Sequence, residues 1–244
     1  MTTTVRLSLR SKDETAADSD EGAVRRKLSV QDGAPVYGMM GQPYAFPERV
    51  LPPGGVEEYR KFRKEGIRTF VLWVDPHRQQ LLARVVTRPA PEGEAPTYEI
   101  LGAAGESLAV VTRKRAFTGG VRTRWTVQQA GGLSAVGRKG SPFWWLVWWL
   151  ILPIQTALFL PAIVVGGDLA RTPRRTKWCL DGRAVLDWAD NTTLAVTDER
   201  WDPRVTGGLV LLLKSWDGLL GEPWDRGKTP EDGIPGETLD GAKN

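Results

Sequence analysis

The first feature of the chain that could carry chemistry is an apolar segment, Phe143 to Val165, whose 23 residues include no charge. Its length is sufficient for a membrane-spanning helix, which needs about 20 residues. Pro153 and Pro161 would each break or kink such a helix, which argues against a simple span. Tryptophan favours the headgroup boundary of a membrane, and the candidate lipid-inserting residues crowd the start of the segment. They are Phe143, Trp144, Trp145, Trp148 and Trp149.

Basic residues flank this segment on both sides. The candidate anionic-lipid-binding residues are Arg138 and Lys139 before it and Arg171, Arg174, Arg175 and Lys177 after it. Positive charge on both sides gives no inside–outside asymmetry of the kind that orients a single span. Each cation that lies close to an anionic leaflet contributes on the order of 1 kcal/mol to binding. The flanks therefore predict contact with anionic membrane lipid.

The strand patterns on either side of the segment limit how it can meet a membrane. Residues 122–137 and 176–197 are expected to belong to one barrel, and a single span would separate them by the bilayer. Two spans would need about 40 residues. We therefore favour a monotopic finger that dips into one leaflet. Two alternatives stay open: burial of the segment against the barrel, a protein partner or a second copy, and a true span.

The chain offers few residues for catalysis. His77 is its only histidine and Cys179 its only cysteine, which excludes an intrachain disulfide and a Cys/His zinc site. We expect His77 to be exposed in a hairpin turn and Cys179 to be a small buried residue of a strand. Gly227-Lys228-Thr229 lacks the spacing and the strand–loop–helix context of a phosphate loop. The sequence thus predicts a protein that is not an enzyme and has no cofactor or metal site.

The elements that must position these residues are short strands with a two-residue period. Nine runs rich in β-branched, aromatic and alternating residues are predicted as strands. They cover 69–74, 81–87, 97–101, 107–112, 122–128, 133–137, 176–180, 183–188 and 193–197. Tight turns join them, among them Asp181-Gly182, a strong hairpin signal. The pattern predicts a mainly β fold, an antiparallel meander that forms a barrel or a sandwich.

One strong helix is predicted after these strands, over 202–220. Asp202 suits the N-cap, Pro203 suits the first helical position, and Gly221 is placed to end the helix. Its centre, 207–213, has no polar face and is too short to span a bilayer, so we expect the helix inside the β structure. The side chains expected to be nearly inaccessible are Leu209, Leu211, Leu212 and Leu213.

The rest of the chain is expected to be less regular. Polar composition predicts mobile tails at 1–34 and 222–244, on either side of the barrel domain at 69–221. Residues 35–68 are predicted as an irregular lead-in with a short helix over Glu57 to Glu65, whose basic residues are expected to form a solvated face. The N-terminus has no apolar h-region, which favours the cytoplasm.

Several motifs in this order resemble the tubby-like β-barrel superfamily, which includes phospholipid scramblase-like and LURP-one-related proteins. The motif residues are Tyr98, Ile100, Gly105 and Leu108, then Arg124, Trp125 and Val127, then the Asp202-Pro203-Arg204 start of the helix. The resemblance covers about 69–220 and extends to an actinobacterial subgroup. It implies a closed antiparallel barrel of about twelve strands that encloses a hydrophobic C-terminal helix. The apolar insert departs from that barrel, and the calcium-binding acidic run of scramblases is missing.

These observations predict a non-catalytic, membrane-associated β-barrel module at the inner face of the cell membrane. Its partner is expected to be anionic lipid, which it binds through the tryptophan-rich segment and its basic flanks. The alternative is a soluble interaction module whose apolar segment is buried in a partner or a homo-oligomer. A lipid-moving or lipid-modifying enzyme rests on fold analogy alone. Nucleic acid is not expected, because Trp125 in an alternating strand favours the core.

Overall fold

The structure is a computed structural model of the 244-residue chain. It describes residues 2–9, 22–33, 41–89, 91, 93–116, 122–140, 175–189, 193–217, 223–226 and 233–236. The predicted insert, 143–165, lies outside these described residues.

A closed barrel of twelve antiparallel strands, counted over the described residues, forms the body of the protein. Its strands are β1 (Thr3–Leu9), β2 (Arg26–Asp32), β3 (Gln42–Leu51), β4 (Thr69–Trp73), β5 (Leu81–Thr87), β6 (Thr97–Gly102), β7 (Ser107–Lys114), β8 (Arg124–Gln129), β9 (Ser134–Lys139), β10 (Thr176–Leu180), β11 (Arg183–Ala189) and β12 (Thr193–Val196). Each strand from β4 to β12 pairs with the next. Strand β12 then pairs with β1, and β3 pairs with β4 to close the ring. The prediction of a mainly β, closed antiparallel barrel is confirmed.

Alternation of side chains defines the inside of the barrel. In β6 and β8 every second residue is buried, including Tyr98, Ile100, Trp125 and Val127. Two-residue turns join strands where the backbone must turn sharply: Asp181 and Gly182 both have positive φ, of 49° and 79°. Such turns match the right-handed twist of the paired strands. The sequence therefore encodes the register of the meander locally.

The barrel encloses a helix. Helix α1 (Gly55–Glu65) packs outside, whereas α2 (Pro203–Ser215) runs through the interior, contacting β1 and β12 on one side and β5, β6 and β7 on the other. Asp202 caps α2 by accepting a hydrogen bond from the backbone N–H of Arg204 at 2.8 Å. The four leucines of the helix are 0–6% exposed, as predicted. The prediction of an enclosed hydrophobic helix is confirmed.

Two consecutive glycines allow this helix to fit. A Cβ atom on Gly207 would lie 2.7 Å from the Tyr44 hydroxyl, and one on Gly208 would lie 2.9 Å from Cδ1 of Ile100. A side chain at either position would therefore require Tyr44, Ile100 or the helix itself to shift. The helix ends at Ser215, five residues before the predicted end, because Trp216 takes a non-helical cap conformation there.

The structure corrects the expected boundaries of the domain. Strands β1 and β2 lie within 1–34 and β3 lies within 35–68, where a tail and an irregular lead-in were predicted. A thirteenth strand, β13 (Gly233–Pro235), pairs in parallel with β3 outside the barrel, within the predicted tail at 222–244. Apolar residues recur at every second position of β1, at Val5, Leu7 and Leu9. Residues 10–25 separate β1 from β2, and β12 lies near the other end of the chain, so no tight hairpin turn marks it.

The direction of α2 gives the barrel two distinguishable ends. We call the end near Asp202 the N end and the end near Ser215 the C end. At the N end, Gln129 at the finish of β8 accepts a hydrogen bond from the backbone N–H of Asp202. Strand β9 therefore starts at the N end and finishes at the C end, at Lys139. Strand β10 starts at the C end, at Thr176.

Candidate membrane-facing site

The connection that carries the apolar insert leaves and rejoins the barrel at neighbouring points of the C end. Lys139, the last residue of β9, lies opposite Thr176, the first residue of β10. Just beyond them, the backbone N–H of Gly140 donates a hydrogen bond to the carbonyl oxygen of Arg175 at 2.9 Å. The two ends of the connection are therefore held together by the sheet itself.

A row of four cations crosses the outer face of the barrel beside these points. Lys114 on β7 lies opposite Arg124 on β8, Arg124 lies opposite Arg138 on β9, and Arg138 lies opposite Lys177 on β10. All four side chains are exposed. We call Lys114, Arg124, Arg138 and Lys177 the cationic row.

The cationic row is only weakly compensated. Lys177 lies 3.9 Å from Asp187. Within the described part of the chain, Lys114, Arg124 and Arg138 have no carboxylate at ion-pair distance. Directly opposed residues on one face of a sheet have Cβ atoms about 5 Å apart, and like charges at that distance are destabilising. An anionic surface laid against the row would relieve this repulsion.

The structure divides the predicted lipid-binding residues into three groups. Arg138 and Lys177 belong to the cationic row. The second group is Lys139, which is half-buried and lines a small cavity of about 50 Å³, and Arg175, which donates three hydrogen bonds of 2.5 to 3.1 Å to Asp187. The remaining predicted residues lie outside the described residues, so the structure does not bear on them. They are Phe143, Trp144, Trp145, Trp148, Trp149, Arg171 and Arg174.

Sequence reasoning missed two members of the row, Lys114 and Arg124. Lys114 lies just beyond the predicted end of its strand, and Arg124 lies within the predicted strand 122–128 but was named only as a motif residue of the resemblance. The signal that could have revealed both is cross-strand register. Extending β7 and β8 by alternation from their buried residues would have placed the two cations opposite each other.

The interior of the C end is closed by stacked arginine and tryptophan side chains. The guanidinium carbons of Arg113 and Arg68 lie 3.8 and 4.6 Å from the ring centroid of Trp216. The indole N–H of Trp216 donates to the hydroxyl of Tyr98, which donates in turn to the carbonyl oxygen of Gly66. Burial raises the pKa of Tyr98 to about 12 and lowers the pKa of Arg113 to about 10. Both groups thus keep their neutral-pH protonation states.

A buried carboxylate ties α1 to the end of α2. Asp225 accepts hydrogen bonds from Tyr59 at 3.0 Å, Arg63 at 3.1 Å and Ser215 at 2.7 Å, all at the same oxygen. Arg68 lies 3.5 Å from that oxygen. Burial and the nearby charge of Asp225 raise the pKa of Tyr59. This cluster fastens the external helix and the segment 223–226 over the C end.

His77 and Cys179, the two residues considered for catalysis, do not lie together in one site. His77 is exposed in the turn between β4 and β5, as predicted. Cys179 is exposed rather than buried, which corrects the prediction. Side chains alternate regularly along β10, so the inward position of Trp178 turns Cys179 outward. Across the described residues, no three His, Cys, Asp or Glu side chains gather as metal ligands.

Neither described helix has the length and apolar character needed to cross a membrane.

Comparison of the chain with protein-family models, with curated proteins and with solved structures gives no match in any of the three. The function therefore has to be argued from the geometry of the C end.

Proposed function

We propose that this protein is a non-catalytic, membrane-associated β-barrel module that binds anionic lipid at the C end of its barrel, on the inner face of the cell membrane. The observation that carries the proposal is the position of the insert. The connection that contains 143–165 leaves and returns at adjacent strands, directly beside the cationic row.

The pairing of β9 with β10 limits how the connection can meet a membrane. Because Gly140 and Arg175 are hydrogen-bonded, the connection between them has to begin and end on the same side of any membrane. A single span would separate these partners by about 30 Å of hydrocarbon, and two spans need about 40 residues. The connection at 141–174 is shorter than that. A segment that enters one leaflet and returns satisfies both limits.

The cationic row can contribute binding energy at an anionic surface. A cation close to an anionic leaflet contributes about 1 kcal/mol, and the effect falls off within a Debye length of about 10 Å. The cationic row spans four neighbouring strands, so its members can lie against one surface together. Tryptophan side chains favour the headgroup region of the bilayer. The row would therefore hold the barrel against the surface that the tryptophans enter.

The fold supports a further proposal, membership of the tubby-like superfamily, which includes the scramblase-like and LURP-one-related proteins. A closed barrel of twelve antiparallel strands around a hydrophobic helix is the architecture that the resemblance implies. One fold hosts many functions, so the lipid proposal rests on the insert and the cationic row rather than on this likeness.

Vesicle flotation tests the proposal. The full-length protein is mixed with phosphatidylcholine vesicles that contain or lack about a third phosphatidylglycerol. We expect flotation with the anionic vesicles and a loss of about tenfold or more in affinity for an Arg124→Ser/Arg138→Ser variant, which removes two cations. The matched control is Arg6→Ser/Arg183→Ser, which removes two exposed cations outside the row and should bind like the wild type.

Two outcomes would overturn the proposal. The first is failure of the wild-type protein to float with anionic vesicles. Purification without detergent as one discrete oligomer would then favour the soluble interaction module. The second is opposite labelling of cysteines at Ser134 and Ala184, in a Cys179→Ser background, by a membrane-impermeant thiol reagent in intact cells. We expect both cysteines to be protected until the cells are opened.

A further inference from the structure

A second basic feature lies at the C end, away from the cationic row. It is a cleft of about 1120 Å³ between α1, the β1 and β2 wall and the segment 223–226. Strands β11 and β12 separate this wall from β10, where the cationic row ends. We call it the basic cleft. Unlike the row, which lies on the outer face of four strands, the cleft is concave and can surround a ligand.

The lining of the basic cleft is strongly positive. Among the described residues that line it, seven are basic and two are acidic. Helix α1 contributes Arg60, Lys61, Arg63 and Lys64, whereas Lys214 comes from the last turn of α2. The cations therefore converge from separate segments of the chain. The tertiary fold, and not one basic run, creates the charge density.

Both carboxylates of the cleft are already engaged. Glu57 pairs with Arg60 at 2.5 Å, one helical turn away. Asp225 is held by Arg63, Tyr59 and Ser215. Three exposed cations have no acidic partner within the described ranges. They are Lys61, Lys64 and Arg226, and they leave the cleft with charge that no described side chain neutralises.

The floor of the cleft is built from the protein core and is therefore preorganised. The indole N–H of Trp224 donates to the carbonyl oxygen of Leu211 at 2.9 Å, and its ring packs 4.8 Å from that of Phe70. Arg26 lies over the same ring at 5.5 Å. Arg63 is fixed by hydrogen bonds to Asp225 and to the carbonyl oxygen of Ser215. A ligand would meet cations around a rigid base.

A simpler explanation accounts for only part of this charge. Basic residues in the last turn of a helix interact favourably with its dipole, which covers Arg63 and Lys64 of α1. The same argument does not extend to Lys61 in the middle of α1 or to Arg226 in another segment. Placing like charges on opposite sides of one cleft is unfavourable unless an anion is bound between them.

We propose that the basic cleft binds a phosphate group with two or more negative charges, either a phosphate monoester or a diphosphate, with Lys61, Lys64 and Arg226 as its main ligands. A phosphate monoester carries close to two negative charges at neutral pH and offers three strong acceptor oxygens. A concave site with several N–H donors favours such compact charge over the single charge of a phosphodiester. The proposal does not require the barrel to bind a membrane.

Isothermal titration with pyrophosphate in low salt tests the site directly. We expect saturable binding to the wild-type protein and a loss of about tenfold or more in Lys61→Ser/Lys64→Ser, which removes two charged donors. An Arg226→Ser variant should weaken binding from a different segment. The matched control is Arg124→Ser/Arg138→Ser, which removes the same charge from the cationic row and should change affinity by less than about threefold.

Vesicles identify the source of the phosphate. Phosphatidic acid presents a monoester, whereas phosphatidylglycerol presents a diester. A preference for phosphatidic acid that the Lys61→Ser/Lys64→Ser variant loses would identify a lipid headgroup. Pyrophosphate binding without such a preference would identify a soluble phosphate compound. Both results support the shared chemistry.

The proposal would be overturned by either of two results. One is no heat of binding at millimolar pyrophosphate with the wild-type protein. The other is an equal loss of pyrophosphate affinity in the cleft variant and the row variant, which would indicate only general charge attraction. Thermal unfolding checks that both variants are folded, and all four substituted side chains are exposed. Because flotation depends on the cationic row and titration on the cleft, each proposal can fail without the other.

Discussion

The two ends of the barrel differ in how their cations are paired with carboxylates. At the N end, Arg200 pairs with Asp198 at 2.7 Å, and Arg204 pairs with Asp202 at 2.7 Å and with Glu106 at 3.2 Å. At the C end, the cationic row and the rim of the basic cleft hold cations without acidic partners among the described residues. These N-end arginines are paired within the chain, whereas the C end groups cations without acidic partners among the described residues at two places.

This difference shows why the net charge of the chain is a poor guide to its partners. A formal charge of +4 is too small to indicate an anionic ligand. Position carries the information, because the screened field of a surface charge acts over only about 10 Å. Substitutions at one end of the barrel can therefore be compared with substitutions at the other end.

The largest effect is expected at the C end, from Asp225→Ala. This change leaves Arg68 buried and Arg63 partly buried without their shared carboxylate. Breaking a buried ion pair from one side costs about 3–5 kcal/mol. Urea unfolding should therefore show a large loss in the free energy of unfolding. An unchanged urea midpoint would mean that the cluster does not fasten α1 and 223–226 over the C end.

The corresponding change at the N end, Asp202→Ala, should cost less. It removes the cap of α2 and the partner of Arg204, both near the surface. Loss of an N-cap typically costs about 1 kcal/mol. Urea unfolding of the two alanine variants side by side gives the comparison. If Asp202→Ala were the more damaging variant, the N end would be the principal anchor of the core helix.

The pH dependence of stability should also reveal Asp202. Burial opposes its charge, but hydrogen bonds from Arg204 outweigh burial and lower its pKa below the ordinary value of 3.8. The folded state therefore binds its proton less readily than the unfolded state. Its contribution to stability is present above pH 3.8 and is lost as the pH falls through the lowered pKa. The free energy of unfolding, measured from pH 6 to pH 2, should fall less steeply for Asp202→Asn than for the wild-type protein.

The smallest effect is expected from Arg138→Glu and has the opposite sign. The new carboxylate would lie between Arg124 and Lys177, converting two repulsive pairs into attractive ones. Stability should rise by a few tenths of a kcal/mol, while flotation with anionic vesicles decreases. A variant that lost stability and kept its lipid affinity would show that the row is structural.

Much of the fold could be predicted because its signals are local. The two-residue period places β4 to β12 within a few residues of their true bounds, and an apolar helix with Asp202 and Pro203 at its start has to be enclosed. Strand β1 escaped prediction because no tight turn joins it to a partner: residues 10–25 separate it from β2, and β12 lies near the other end of the chain. Cys179 was wrongly placed because its apolar character was given more weight than the alternation that turns Trp178 inward. The site depends on register across four strands, so only Arg138 and Lys177 of the row were identified.

The hydrogen bond between Gly140 and Arg175 couples attachment of the insert to the stability of the barrel. In the unfolded chain, β9 and β10 are joined by the long connection at 141–174, whereas most of the other hairpins have short turns. Closing a connection of that length costs about 2–3 kcal/mol more in chain entropy than closing a two-residue turn. A surface that holds the two ends of the connection close together in the unfolded chain removes part of this entropic cost before β9 and β10 pair. Attachment of the insert should therefore act as a thermodynamic clamp, so that a bound barrel withstands more denaturant than a free one.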